Sequence, residues 1–80
     1  MKRTYDDIRV SLLKAISGKQ KTINEISRIS KVNWKTVQRH IVFFKGSGFV
    51  NEVFSSPYVR ILEITELGRA ELKRIEEGMK

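Results

Sequence analysis

Apolar residues recur at helical spacing in four stretches of this chain and dominate a fifth, between Phe49 and Ile64, in the manner of strands. In the first stretch Ile8, Leu12, Ala15 and Ile16 form one stripe, and Val10 and Leu13 widen it, so this helix packs on more than one neighbour. Thr4 with Asp7 three residues on is a capping pair, and Asp6 and Asp7 suit the positive end of a helix. Ser17-Gly18 ends it, glycine taking the left-handed cap. In the second stretch Thr22 and Glu25 repeat the capping pair, and Ile23, Ile26 and Ile29 supply an apolar stripe that stops near Ser30. Asn33 caps a third helix, in which Val37, Ile41 and Phe44 recur on one face. Gly46-Ser47-Gly48 breaks it.

Phe49 to Phe54 reads as a strand, Ser55-Ser56-Pro57 as a turn, and Tyr58 to Ile64 as the returning strand. Tyr58, Arg60, Leu62 and Ile64 share one face of it, and Val59, Ile61 and Glu63 share the other. Thr65 caps a last helix that runs to Glu77. Gly68 inside that helix costs about 1 kcal/mol against alanine, so it marks a close approach to the hairpin. Leu72, Ile75 and Met79, spaced three and four apart, form either a short coiled-coil seam with a second copy or the end of the core. The expected fold is α+β, mostly α, as a single domain over residues 1–80: three helices, a hairpin over 49–64 and a C-terminal helix over 65–77.

Charge adds direction to this outline. The net charge is +7 and the pI about 10.1. Between Ser17 and Lys45 stand Lys19, Lys21, Arg28, Lys31, Lys35, Arg39 and Lys45 against one acid, Glu25. Almost the whole excess therefore lies on the two helices of residues 22–45 and the link before them, the footprint of a polyanion binder. On a helical wheel Lys35 and Arg39 fall opposite the apolar face, with Gln38 and Thr36 beside them and no acid between Lys31 and Lys45. Arginine reads guanine with a bidentate fork, glutamine can read adenine, and lysine and threonine hold phosphates. Residues 22–45 thus read as a helix-turn-helix that docks on double-stranded DNA.

Composition excludes several alternatives. There is no cysteine, and His40 is the single histidine, so no metal site or metal cofactor is expected. No nucleophile–base pair or cofactor loop stands out, and an enzyme is not expected. Gly46-Ser47-Gly48 follows a helix and precedes a strand, the reverse of a phosphate-cradling loop. The longest apolar run, Ile41 to Phe44, is far below the roughly 20 residues of a membrane span. No helix pairs a broad Lys/Arg face with a Trp/Phe/Leu face, so no membrane surface is expected as partner. Lys2 and Arg3 either touch phosphates or are simply solvated.

The order of elements, together with "GFV" after the third helix and "ITELGRAEL" after the hairpin, resembles the winged helix-turn-helix proteins. The chain is most similar to the small archaeal DNA-binding members, both plasmid- or virus-encoded regulators and basic chromatin-associated proteins. The resemblance implies that residues 33–45 are a recognition helix in the major groove, with Trp34, Lys35, Thr36, Gln38 and Arg39 at groove-facing positions and Ser55–Tyr58 as the wing tip. It departs from the pattern at that tip, which has no Lys or Arg, only Arg60 nearby with Glu52 opposite. Trp34 either packs on Val32 and the first helix or meets a sugar or thymine methyl. Phe43 meets the first helix or a partner, and His40 is structural or touches phosphate. The expected DNA-binding set is Lys21, Lys31, Asn33, Trp34, Lys35, Thr36, Gln38, Arg39 and Arg60.

The function implied is a transcriptional regulator. The alternatives are a sequence-tolerant architectural DNA binder and a protein-interaction module. A homodimer through Leu72, Ile75 and Met79 would set two recognition helices about 34 Å apart. No small-molecule ligand is expected, and the location implied is cytoplasmic, with the nucleoid.

Overall fold

The computed structural model describes residues 4–78. In chain order the elements are α1 (Tyr5–Ile16), β1 (Lys21–Thr22), α2 (Ile23–Ser30), α3 (Trp34–Gly46), β2 (Val50–Ser55), β3 (Arg60–Ile64) and α4 (Glu66–Gly78). Local chemistry explains the boundaries. The Thr4–Asp7 and Thr22–Glu25 pairs both close as reciprocal capping boxes, with N–H donors 3.0 to 3.1 Å from their acceptors. Asn33 Oδ1 accepts from the Lys35 amide at 2.8 Å and opens α3. Gly18, at φ +91, carries the chain out of α1.

The turn between α2 and α3 is tied down by two serines. Ser27 donates to the Val32 carbonyl at 2.6 Å, and Ser30 Oγ, buried, donates to the Ile26 carbonyl at 2.6 Å and accepts from the Val32 amide at 3.3 Å. Lys31 between them holds a left-handed conformation (φ 59, ψ 30). Such a residue without glycine's freedom costs roughly 1–2 kcal/mol, which this hydrogen bonding and the packing of Val32 offset.

The core gathers Leu12, Leu13 and Ile16 of α1, Ile26 of α2, Val37, Ile41 and Phe44 of α3, and Val50 and Leu62 of the sheet, all essentially inaccessible to water. Ile29 departs from the expected stripe and is 50% exposed. On the wheel it lies about 120° from Ile23, whereas Ser30 falls in line with Ile23 and takes the inward place.

The hairpin is one strand larger than expected. The sheet is antiparallel in the order β1-β3-β2, with Lys21 opposite Leu62 and Thr22 opposite Ile61. Residues 19–21, read as a polar link, therefore lead into an edge strand, which half-buries Ile61. At the tip β2 runs one residue further than expected, to Ser55, whereas β3 starts two residues later, at Arg60, because Ser56 closes residues 56–59 on itself. Its amide donates to the Val59 carbonyl at 2.8 Å, and its Oγ accepts from the Tyr58 and Val59 amides.

The last helix lies across α1. Gly68 and Ile75 are buried and Leu72 is half-buried against the core, at spacing i, i+4, i+7. Of the stripe read as either a dimer seam or the end of the core, Ile75 is only 5% exposed and, with half-buried Leu72, packs on the core of its own domain. Met79 lies outside the described residues. Arg9–Glu71 and Lys14–Glu76 ion pairs, both at 2.9 Å, run between α1 and α4. Thr65 pins the start of α4, donating to the Gly48 carbonyl at 2.6 Å and accepting from the Gly68 amide at 2.9 Å. A methyl group at Gly68 would collide with the Phe49 carbonyl and lie 2.8 Å from Ile64 Cγ1, the close approach that the sequence required.

Candidate nucleic-acid interface

The inner face of α3 is fixed by Val37, His40, Ile41 and Phe44, all buried. Its outer face follows from that geometry. Lys35 and Arg39 are exposed, Gln38 and Thr36 are half-buried at its edges, and Trp34 is 47% exposed at its start. Val42 was not among the expected residues, yet it stands 70% exposed, about 20° from Lys35 on the wheel and on the side away from Arg39. Its signal was present in the period of the helix but was masked by its apolar neighbours in Ile41 to Phe44.

Two hollows flank this face. One, of about 290 Å³, opens between the start of α2, the start of α3 and the hairpin tip, and brings together Asn24, Trp34, Gln38, Tyr58 and Arg60. The other, of about 240 Å³, lies on the side of α1 and is lined by Tyr5, Thr36, Arg39, His40 and Phe43. Tyr5 and Asn24 therefore join residues the sequence singled out, Tyr58 having stood in the expected wing tip. They escaped notice because fold contacts between distant segments, not local spacing, bring them there. Lys21 sits before α2, its ammonium donating to the Lys19 carbonyl at 3.1 Å, and Lys31 is exposed after α2. Neither lines these two hollows. Asn33 is exposed beside Trp34, with its side-chain oxygen engaged as the cap.

Acids are held away from this face by their partners. Glu52 bridges Arg60 and Lys45, the latter at 3.0 Å, and the Arg60 hydrogen bond chiefly holds its carboxyl below the usual range, with Lys45 assisting. Arg60 thus reaches the hollow already neutralised. Glu71 is held low mainly by Arg74 and also by Arg9. Among the described residues, no ion pair engages Lys35 or Arg39.

His40 is structural. It is 8% exposed, with its ring 5.2 Å from that of Tyr5 and 5.9 Å from that of Phe44. Burial, followed by the charge of Arg9, pushes its pKa below the ordinary value. Phe43 meets α1 through Arg9, whose guanidinium lies 5.2 Å from the Phe43 ring centre and 5.6 Å from that of Tyr5. Among the described residues no group of His, Asp and Glu could hold a metal ion, and no helix is long and apolar enough to cross a membrane.

Comparison with known proteins agrees with this geometry. The family model for the winged helix-turn-helix matches residues 2–80. The fold is similar to that of Sso10a-2, a DNA-binding protein from Sulfolobus solfataricus, at a TM-score of 0.85 and 22% identity, over 96% of this chain and 79% of that one. It is also similar to the transcriptional regulator BldR from Sulfolobus solfataricus (TM-score 0.76, 24% identity, 88% of this chain and 52% of that one). A MarR family transcriptional regulator from Silicibacter pomeroyi shares it too (TM-score 0.65, 18% identity, 92% of this chain and 53% of that one). At these identities the likenesses concern the fold. No curated protein matches the chain.

Proposed function

Since the chain belongs to the winged helix-turn-helix family, we propose that it is a transcriptional regulator that binds double-stranded DNA, with α3 in the major groove. One observation carries the reading: the exposed face of α3 presents Lys35, Gln38, Arg39 and Val42 on an acid-free helix, beside acids that are already paired. Arg39 and Gln38 are the base readers in this account, and Val42 offers an apolar surface for a thymine methyl. Lys35, Thr36, Lys21 and Lys31 hold phosphates, with Asn33 and Trp34 beside the groove and Arg60 behind the wing tip. The DNA-binding and regulatory roles of the structural neighbours support this reading.

Base readers on the helix favour sequence reading over sequence-tolerant coating. A regulator acting on two related half-sites needs two copies, and a contact along the C-terminal helix would rest on residues other than the buried Ile75. The test is recovery and sequencing of the bound fraction from a random duplex pool. The wild-type chain should enrich a motif. Arg39→Ala should relax one position of it, with the favoured base losing about 5- to 150-fold of its advantage, as expected for one bidentate contact. Equal recovery of all sequences by the wild-type chain would replace this reading with the architectural one.

A further inference from the structure

The hollow between α3 and the wing tip is walled by rings, and the cation that lines it, Arg60, is held by Glu52. Trp34 is 47% exposed on one side, and Tyr58, 92% exposed, stands with Pro57 on the other. Asn24 and Gln38 line it with amide groups. The duplex reading assigns Trp34, Gln38 and Arg60 to the groove and its edge but gives the exposed ring of Tyr58 no task. A tip that followed a phosphate backbone would carry cations, yet Ser56–Val59 carries none, and Arg60 behind it is held by Glu52. A phenol ring left almost wholly in water at a loop tip has a free face on which a flat partner can stack.

The chemistry of such a partner follows from the walls. A flat π-system fits against Trp34 and Tyr58. Side-chain amides offer both donors and acceptors to its edge, the pattern by which unpaired bases are read. The volume, about 290 Å³, lies at the lower end of the range for small-ligand sites and suits a single ring system. The cationic α3 face begins at the same residue, Trp34, so a ligand carried on a sugar-phosphate backbone is complementary in charge as well. We propose that this cleft takes one unpaired nucleobase, stacked on Trp34 and Tyr58, supplied by a single strand or by an unpaired position in a duplex. The proposal rests on the nucleic-acid reading of the basic surface but not on major-groove recognition.

Trp34 is the only tryptophan, so its fluorescence reports stacking directly. The full chain would be titrated with oligothymidylate, with a fully paired duplex of the same length, and with that duplex carrying one unpaired thymine. The single strand should quench Trp34. Tyr58→Leu, which keeps an apolar tip without the ring, should weaken single-strand binding by about 5- to 150-fold, while Tyr58→Phe stays near wild type. Affinity for the paired duplex should not respond to either substitution. Quenching by the unpaired-thymine duplex at lower concentration than by the free strand would identify the duplex defect as the source, and the reverse order the strand. Duplex binding without single-strand quenching would overturn the cleft and leave the regulator reading intact. Quenching that Tyr58→Leu leaves unchanged would also overturn it. Tyr58-dependent single-strand binding without paired-duplex binding would keep the cleft and end the major-groove reading.

Discussion

His40 binds α3 to the body of the domain rather than to a ligand. Its neutral ring lies between Tyr5 and Phe44, with the Arg9 charge nearby. Folding therefore favours the neutral form, and the folded pKa lies below the ordinary 6.5. The stabilisation is complete above that value and is lost as pH falls through the lower folded value. The carboxylates of Glu25, Glu52 and Glu71 are also held low, but from 4.5, so their contributions persist until stronger acid. Between those two values the pH dependence belongs to His40. Thermal melts should show a falling Tm from about pH 7 to about pH 5, and His40→Phe should flatten that slope. An unchanged slope in the variant would place the titrating group elsewhere.

At this same scale, capping was fully legible in the sequence, because Thr4, Thr22, Asn33 and Thr65 act within three residues of themselves. Exposed residues such as Val42 were harder to read. The apolar periodicity names an inner face, but an apolar residue on the outer face does not announce itself.

Among the elements, α4 shows how a close approach constrains sequence. Gly68 meets the Phe49 backbone, which cannot rotate aside as a side chain would. Alanine gains about 1 kcal/mol of helix propensity, but forcing extra volume into packed structure costs about 1–3 kcal/mol or more. Gly68→Ala should thus be net destabilising in urea unfolding, with a lower midpoint at unchanged slope. A stabilised variant would show that α4 can move off the hairpin. Hairpin and last helix were readable from turn residues and alternation, and Gly68 from its cost. The strand β1 was not, since two residues show no alternation and Thr22 already serves as a cap. The Leu72–Ile75 spacing was read as either a seam or core. Only the packing of α4 on α1 settles that Ile75 faces inward.

Over the whole molecule, charge and shape divide the surface. Ion pairs gather on α1, α4, the hairpin and the last turn of α3, where Arg9, Lys14, Lys45, Arg60 and Arg74 meet Glu52, Glu71 and Glu76. Those pairs remove much of the positive field from that side and leave it on the helix-turn-helix. The charge imbalance was legible from residue order alone. Its pairing was not, because Arg9 and Glu71 stand 62 residues apart. The aromatic cleft was equally hidden, since Trp34 and Tyr58 meet only once the hairpin folds back.

The central claim is that binding charge resides on α3 and not simply in the chain's net charge. Its most direct test is duplex affinity against salt for the wild-type chain, Lys35→Ala and Lys73→Ala, the last an exposed lysine of α4 that changes net charge equally. Log affinity should fall linearly with log salt, and Lys35→Ala should reduce that slope by about 0.9, one phosphate contact, while Lys73→Ala leaves it unchanged. Equal slopes for the two variants, or no duplex binding at about 0.1 M salt, would contradict the account.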